Sequence, residues 1–82
     1  MATVTLYGKP GCCLCDDARV ELERLRARHE FHLEEVDVSL DPGLYRDYGE
    51  RIPVVAVDGR EACELGLDSA EIERLLARVA GP

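Results

Sequence analysis

Three of the four cysteines of this 82-residue chain, Cys12, Cys13 and Cys15, lie within four consecutive positions, and the fourth is Cys63. Cysteines this close together make a poor stabilising disulfide framework, whereas clustered thiols are typical of redox catalysis or metal binding. Cys12 and Cys15 are three positions apart, so on a helix they share one face. The spacing therefore predicts a reversible disulfide between Cys12 and Cys15.

The three clustered cysteines are predicted to lie at the junction between a strand and the helix that follows it. Val4 and Leu6 alternate with more polar neighbours, as in a half-buried strand, and a Lys-Pro-Gly turn at residues 9–11 interrupts the pattern. A helical pattern follows from Leu14 to about His29. Its apolar residues fall within one arc of about 80°, which is expected to face the core; they are Leu14, Ala18, Leu22 and Leu25.

This placement predicts different roles for the two thiols. Cys12 lies at the positive end of the helix dipole, and the nearby Lys9 also favours its thiolate form, although Asp16 and Asp17 oppose it. Attack by Cys12 on a substrate disulfide would give a mixed disulfide, which Cys15 could then resolve. Cys15 is at the edge of the apolar arc and is expected to be the more buried, while Cys13 points away from it.

The remaining pattern predicts two further helices and three further strands. The predicted segments are a strand over 31–38, a helix over 42–48, strands over 53–57 and 60–65, and a final helix with Asp68 as N-cap and Ile72, Leu75, Leu76 and Val79 facing inward. The order β-α-β-α-β-β-α indicates an α/β, thioredoxin-like fold with a four-stranded mixed sheet flanked by helices. The length predicts one domain over residues 1–82.

Composition excludes several classes of partner. The formal charge is −7, and residues 34–82 hold twelve acidic and five basic side chains, so the whole excess lies there. A surface of this sign repels phosphate backbones and anionic lipid, which argues against nucleic acid and membranes. No apolar run approaches the length of about 18 residues that a membrane span requires, and the first residues lack signal-peptide features. We expect a cytoplasmic monomer.

Metal binding is the main alternative to redox chemistry at the cysteines. Zinc commonly takes four ligands in two pairs, and there is no second C-x-x-C pair. Cys63 with His29 or His32 lacks a recognisable ligand spacing. We therefore expect no metal site within one chain. A metal or iron–sulfur cluster held by Cys12 and Cys15 across a dimer stays open, as does a redox-inert interaction domain.

Two segments of the chain resemble the glutaredoxin family, and most of all its short bacterial glutaredoxin-like branch. They are LYGKPGC at residues 6–12, followed by Cys15, and YGERIPVV at residues 48–55, followed by Asp58-Gly59. The resemblance runs over nearly the whole chain. It implies that Cys12 is the nucleophile, that Cys15 is the resolving thiol, and that Pro53 is a cis-proline facing them, with Ile52 presenting backbone hydrogen bonds to a bound disulfide.

The resemblance also implies a function and its partners. The expected activity is reduction of disulfides in proteins or small molecules, contributing to cell redox homeostasis, with no bound cofactor and with glutathione or a thioredoxin-type protein as reductant. The candidate substrate-binding residues are Lys9, Leu14, Ile52 and Pro53. Glutaredoxins carry a glycine pair where this chain is expected to have Cys63 and Glu64, so we expect weak use of glutathione, while Cys63 is expected to be a core residue.

Overall fold

The computed structural model describes residues 2–80, with side chains for residues 2–78. The elements are β1 (Ala2–Gly8), α1 (Cys13–Arg26), β2 (Phe31–Asp37), a 3-10 turn (Val38–Leu40), α2 (Pro42–Tyr48), β3 (Val54–Val57), β4 (Arg60–Glu64) and α3 (Ser69–Ala80). This is the predicted order β-α-β-α-β-β-α. Met1, Gly81 and Pro82 of the predicted domain, and the side chain of Val79, lie outside the described part.

The four strands form one mixed sheet in the order β2-β1-β3-β4. β1 runs parallel to β2, and the pairs β1–β3 and β3–β4 are antiparallel. The predicted α/β, thioredoxin-like architecture is therefore confirmed. In the register of β1 and β3, Leu6 lies opposite Val55 and Tyr7 opposite Val54. The end of β1 consequently lies beside the start of β3, and the segments that follow and precede these strands meet at one edge.

The core fills the side of the sheet that carries α1 and α3. The inward side chains of β1 alternate along the strand and include Val4 and Leu6, which are 0% and 3% exposed. They pack in one cluster with Ala18, Leu22 and Leu25 of α1 and with Ile72, Leu75 and Leu76 of α3. α2 lies on the opposite side of the sheet, because Tyr48 stacks on Tyr7, which points away from this cluster.

Side-chain caps start the two later helices where the sequence indicates. The Asp41 carboxylate accepts the backbone N–H of Gly43 and of Leu44 at the start of α2. The Asp68 carboxylate accepts the N–H of Glu71 at 3.2 Å, which confirms its predicted capping role in α3. Among the described helices, none is both long and apolar enough to cross a membrane.

The end of α1 and the exposure of one of its side chains differ from the sequence-based prediction. α1 ends at Arg26, three residues before His29. Leu14, predicted to face the core, is 54% exposed. Helical angle identifies a face but does not say how far along the axis the core extends. The core cluster begins one turn later, at Ala18, so the first turn of α1 projects beyond it.

Candidate active site

Cys12 is the N-cap residue of α1. Its backbone is extended, with φ −94° and ψ 111°, and its Sγ accepts the backbone N–H of Cys15 at 3.3 Å. The side chain is half-buried. Unpaired N–H groups and the positive dipole end at this position favour a negatively charged partner. The predicted position of Cys12 at the helix start is confirmed, and its sulfur takes the place that a capping oxygen usually holds.

Cys15 lies one turn further along α1 and faces inward. It is 6% exposed, so it is the more buried of the two thiols, as predicted. Burial, together with a hydrogen bond to the Cys12 side chain, raises the pKa of Cys15 to about 11, although a hydrogen bond from the Lys9 backbone opposes the rise. The pair therefore combines an accessible sulfur at a helix start with a protonated, protected one beneath it.

Gly8, the last residue of β1, packs directly against Cys15. A Cβ added to Gly8 would lie 2.9 Å from Cys15 Sγ, closer than real Cβ atoms come to a neighbour, and 3.2 Å from Cys15 Cβ, which is a tight contact. Gly8 belongs to the LYGKPGC segment that resembles the family, although no role was predicted for it. The available signal was alternation along β1, because Gly8 continues the inward-facing positions of Val4 and Leu6. Any larger residue there would displace the Cys15 thiol.

Residues 51–53, just before β3, form the second part of the site. The Ile52–Pro53 peptide bond is cis, as the resemblance implies. Pro53 is buried and Ile52 half-buried. Since Tyr7 lies opposite Val54, one further step of the register brings Pro53 to the level of Gly8, next to the cysteine motif. The structure thus brings Ile52 and Pro53 to the same edge of the sheet as the thiols.

Arg51 anchors this segment to two other elements. Its guanidinium donates to the backbone oxygen of Asp47 in α2, through Nη2 at 3.0 Å and Nε at 3.3 Å. Nη1 donates to Glu61 of β4 at 2.7 Å and lies 3.7 Å from a carboxylate oxygen of Glu64. The guanidinium carbon also lies 5.4 Å from the ring centroid of Tyr48. This anchor was not predicted from the sequence, because its partners meet only once the elements are assembled.

Further contacts extend the anchor to the sheet. The Tyr48 ring stacks on Tyr7 of β1, with centroids 4.1 Å apart. The Arg51 backbone oxygen accepts the N–H of Leu65, just after β4. Arg51 is therefore bonded to α2 and to the β4 region, and Tyr48 links α2 to β1.

The other predicted site residues lie around this centre. Lys9 is exposed and follows β1 directly, and its backbone contacts Cys15. Leu14, between the cysteines, is exposed and so is placed on the surface rather than in the core. Cys13 is also exposed, which confirms that it points away from Cys15. Within the part of the chain with described side chains, no three His, Cys, Asp or Glu groups gather as a metal site.

The structure does not support the expected correspondence of Cys63 and Glu64 with the glycine pair of the glutaredoxins. Cys63 and Glu64 belong to β4, where they pair with β3. The backbone enters the region that favours glycine at Leu65, with φ 60°, and Gly66, with φ 154°. The positions that need glycine-like conformations are thus 65 and 66. Cys63 is half-buried rather than fully internal, packs against the core cluster, and its burial raises the pKa of the thiol.

A family model and several known proteins match this chain. The model described as Glutaredoxin-like domain (DUF836) matches residues 3–77. The uncharacterized protein Rv0508 of Mycobacterium tuberculosis is 31% identical over 80 residues, covering 92% of this chain and 82% of the relative.

Solved structures resemble the chain in fold. Protein Ne2328 from Nitrosomonas europaea has a TM-score of 0.81 and 30% identity, covering 90% of this chain and 89% of its own. Protein XcR50 from X. campestris has a TM-score of 0.67 and 31% identity, covering 96% and 99%. A mutant thioredoxin from Halobacterium salinarum has a TM-score of 0.71, with 99% and 76% covered, and at 19% identity it supports the fold alone.

Proposed function

Because the chain belongs to the family of Glutaredoxin-like domains (DUF836), we propose that it is a thiol–disulfide oxidoreductase that works with the Cys12–Cys15 dithiol. The observation that carries the proposal is the arrangement of these two sulfurs. Cys12 Sγ caps α1 and accepts the Cys15 N–H, while the Cys15 thiol lies buried beside it. This arrangement supports Cys12 as the attacking sulfur and Cys15 as the resolving one.

The proposed reaction has two steps. The Cys12 thiolate attacks a substrate disulfide and forms a mixed disulfide, releasing the first substrate thiolate. Cys15 then loses its proton and attacks the Cys12 sulfur, which releases the second substrate thiolate and leaves a Cys12–Cys15 disulfide. Burial keeps Cys15 protonated near neutral pH, so it does not compete with Cys12 for the substrate. A thiol reductant then restores the dithiol.

The substrates we propose are disulfides of proteins or small molecules, in the cytoplasm. Residues 51–53 support an extended substrate segment beside Cys12, because Arg51 fixes this segment through its bonds to Asp47, Glu61 and Leu65. Lys9 and Leu14 are exposed next to the thiols and would contact the substrate from the side of the motif.

The test is to titrate the dithiol and to label the thiols. In a Cys13→Ser/Cys63→Ser variant, which keeps only the proposed pair, redox titration against glutathione and against a thioredoxin buffer should show one two-electron transition. Limiting iodoacetamide at neutral pH should label Cys12 well before Cys15. Preferential labelling of Cys15, or the absence of a Cys12–Cys15 disulfide after oxidation, would contradict the proposal.

A further inference from the structure

Leu65 follows β4 directly and lies at the same edge of the sheet as the candidate site. In the register of β3 and β4, Glu64 lies opposite Val54, so one further step brings Leu65 to the level of Pro53. The Leu65 N–H also donates to the Arg51 backbone oxygen at 2.9 Å. Leu65 is therefore a direct neighbour of the segment proposed to lie beside the substrate.

The Leu65 side chain is exposed although the chain on both sides of it is held. Cys63 and Leu67, two residues before and two residues after, both pack against the core cluster. The Asp68 N–H donates to Cys63 Sγ at 3.4 Å, which ties the start of α3 to the end of β4. Between these contacts Leu65 is 60% exposed. A fixed segment thus presents an apolar side chain to solvent beside the site.

The backbone of Leu65 is in a conformation that leucine rarely adopts. Its φ of 60° lies in the left-handed region, where a bulky side chain is strained. Among the described residues, the other non-glycine residue with a positive φ is Asp58, which lies in the hairpin turn Asp58-Gly59, where such residues are favoured. Leu65 lies in no such turn. Strained residues cluster at functional sites, so this leucine indicates a role for its side chain.

The distance from Leu65 to the thiols determines which substrates can contact it. The strand order is β1-β3-β4, and neighbouring strands are about 4.8 Å apart, so the end of β4 lies roughly 10 Å from Gly8 at the end of β1. Cys15 packs on Gly8. An extended peptide advances about 3.3 Å per residue. A polypeptide joined to Cys12 through its half-cystine can therefore reach Leu65 with a side chain about two or three residues away.

We propose that Leu65 is a specificity-determining residue, which selects disulfides of polypeptides with an apolar side chain two or three residues from the half-cystine. This inference rests on the proposed function, because the substrate must be held at Cys12 for its neighbouring residue to reach Leu65. The two apolar side chains pack together and leave water, which favours binding. Glutathione, whose cysteine is joined only to a glutamyl group and a glycine, has no side chain that makes this contact.

The first experiment compares peptides on the Cys13→Ser protein. Serine–glycine peptides with one cysteine and one leucine, at successive distances on either side, are joined as mixed disulfides to 2-nitro-5-thiobenzoate. Release of this coloured thiol measures attack by Cys12. The best peptide with leucine two or three residues away should react at least about five-fold faster than the peptide without leucine.

Substitution of Leu65 should remove this preference. Leu65→Asn keeps the size of the side chain and tolerates the left-handed backbone, but it is polar, so the ratio of the two rates should fall close to one. Leu40→Asn is the matched control, because Leu40 is 81% exposed and follows β2, at the opposite edge of the sheet. It should keep the ratio. Each ratio compares two peptides on one protein and so does not depend on the fraction that is folded.

The outcomes separate the inference from the proposed function. Equal rates for all peptides with the Cys13→Ser protein, or an unchanged ratio after Leu65→Asn, would overturn the inference and leave the proposed function intact. An equal fall of the ratio in Leu40→Asn would overturn it as well. If Cys12 reacts with none of the peptides, both the inference and the proposed function fail.

The second experiment locates the apolar side chain of the substrate. The preferred peptide is made with photo-leucine in place of leucine and trapped as a mixed disulfide on Cys12 of a Cys13→Ser/Cys15→Ser variant. Irradiation and mass spectrometry should find the cross-link within residues 64–67. A cross-link pattern that lacks this segment would overturn the inference, and the trapped disulfide itself would still support the role of Cys12.

Discussion

The two halves of the candidate site are held in place by different kinds of contact. Cys12 and Cys15 are fixed by one turn of α1, with a backbone N–H of the motif bonded to a sulfur of the motif. Residues 51–53 are held through Arg51, which donates to a backbone oxygen of α2 and to a carboxylate of β4. The first half is therefore a local structure, and the second depends on the assembled fold. Substitutions should separate the two.

The largest expected loss of activity comes from substituting the cysteines of α1. Cys12→Ser should abolish disulfide exchange, because the attacking sulfur is lost. Cys15→Ser should instead accumulate mixed disulfides at Cys12, since attack survives and resolution does not. Both are measured by turnover of a model disulfide and by mass spectrometry of the trapped adduct. Cys13→Ser, an exposed cysteine of the same motif, is the control and should retain activity. Loss of activity in the control would show that the wrong pair was assigned.

Gly8 tests the contact between the motif and the sheet. Gly8→Ala should destabilise the reduced protein by about 1–3 kcal/mol, because the new methyl group overlaps the Cys15 sulfur. It should also shift the potential of the dithiol. Chemical denaturation of Gly8→Ala, Cys15→Ala and the double variant measures the coupling. The cost of Gly8→Ala should be smaller when Cys15 is already alanine, and additive effects would contradict the proposed contact.

Alkaline pH tests the burial of Cys15. The pKa of Cys15 is raised from 9.0 to about 11 in the folded protein. The folded state therefore holds its proton where the unfolded state has lost it, and this favours unfolding as the pH rises from 9. The free energy of unfolding should fall by about 2 kcal/mol between pH 9 and pH 11 from this group. Cys15→Ser should show a shallower fall, and parallel profiles would refute the burial argument.

Arg51 tests the half of the site that depends on the fold. Arg51→Ala removes the bonds to Asp47 and Glu61 and should lower kcat/KM for a protein disulfide about ten-fold through misplacement of residues 51–53. The alkylation rate of Cys12 should not change, because the motif is held separately. Arg51→Lys should be intermediate, since one ammonium cannot make the same fork of bonds. Arg46→Ala, an exposed arginine of α2, is the control. A parallel loss of Cys12 reactivity would mean that the two halves are not independent.

The smallest effect concerns glutathione, for which we propose weak use. Glutathione is anionic, and Glu64 lies near residues 51–53 through its ion pair with Arg51. Glu64→Gly should raise glutathione-dependent reductase activity about five-fold, by removing a like charge worth about 1 kcal/mol in water. Glu34→Gln, which removes one carboxylate from the far edge of the sheet, should have no such effect. Strong wild-type activity that Glu64→Gly leaves unchanged would show that this carboxylate does not face the ligand.

Much of the fold was predictable from periodicity and turn chemistry. α2 has the predicted bounds, Pro42–Tyr48, and Asp68 caps α3 as predicted. The relative burial of Cys12 and Cys15 followed from helical spacing alone. The cis form of Pro53 came from the resemblance, since residue pattern gives no physical reason to expect it.

Properties that repeat along a helix or strand were determined by the sequence itself, because each residue constrains only its near neighbours. Those that require distant elements to meet were decided by the tertiary structure. The exposure of Leu14 depends on where the core ends, and the role of Gly8 depends on which side chain of α1 is laid over it. The partners of Arg51 come from elements whose register is set only when the sheet forms, because strand order brings their ends together.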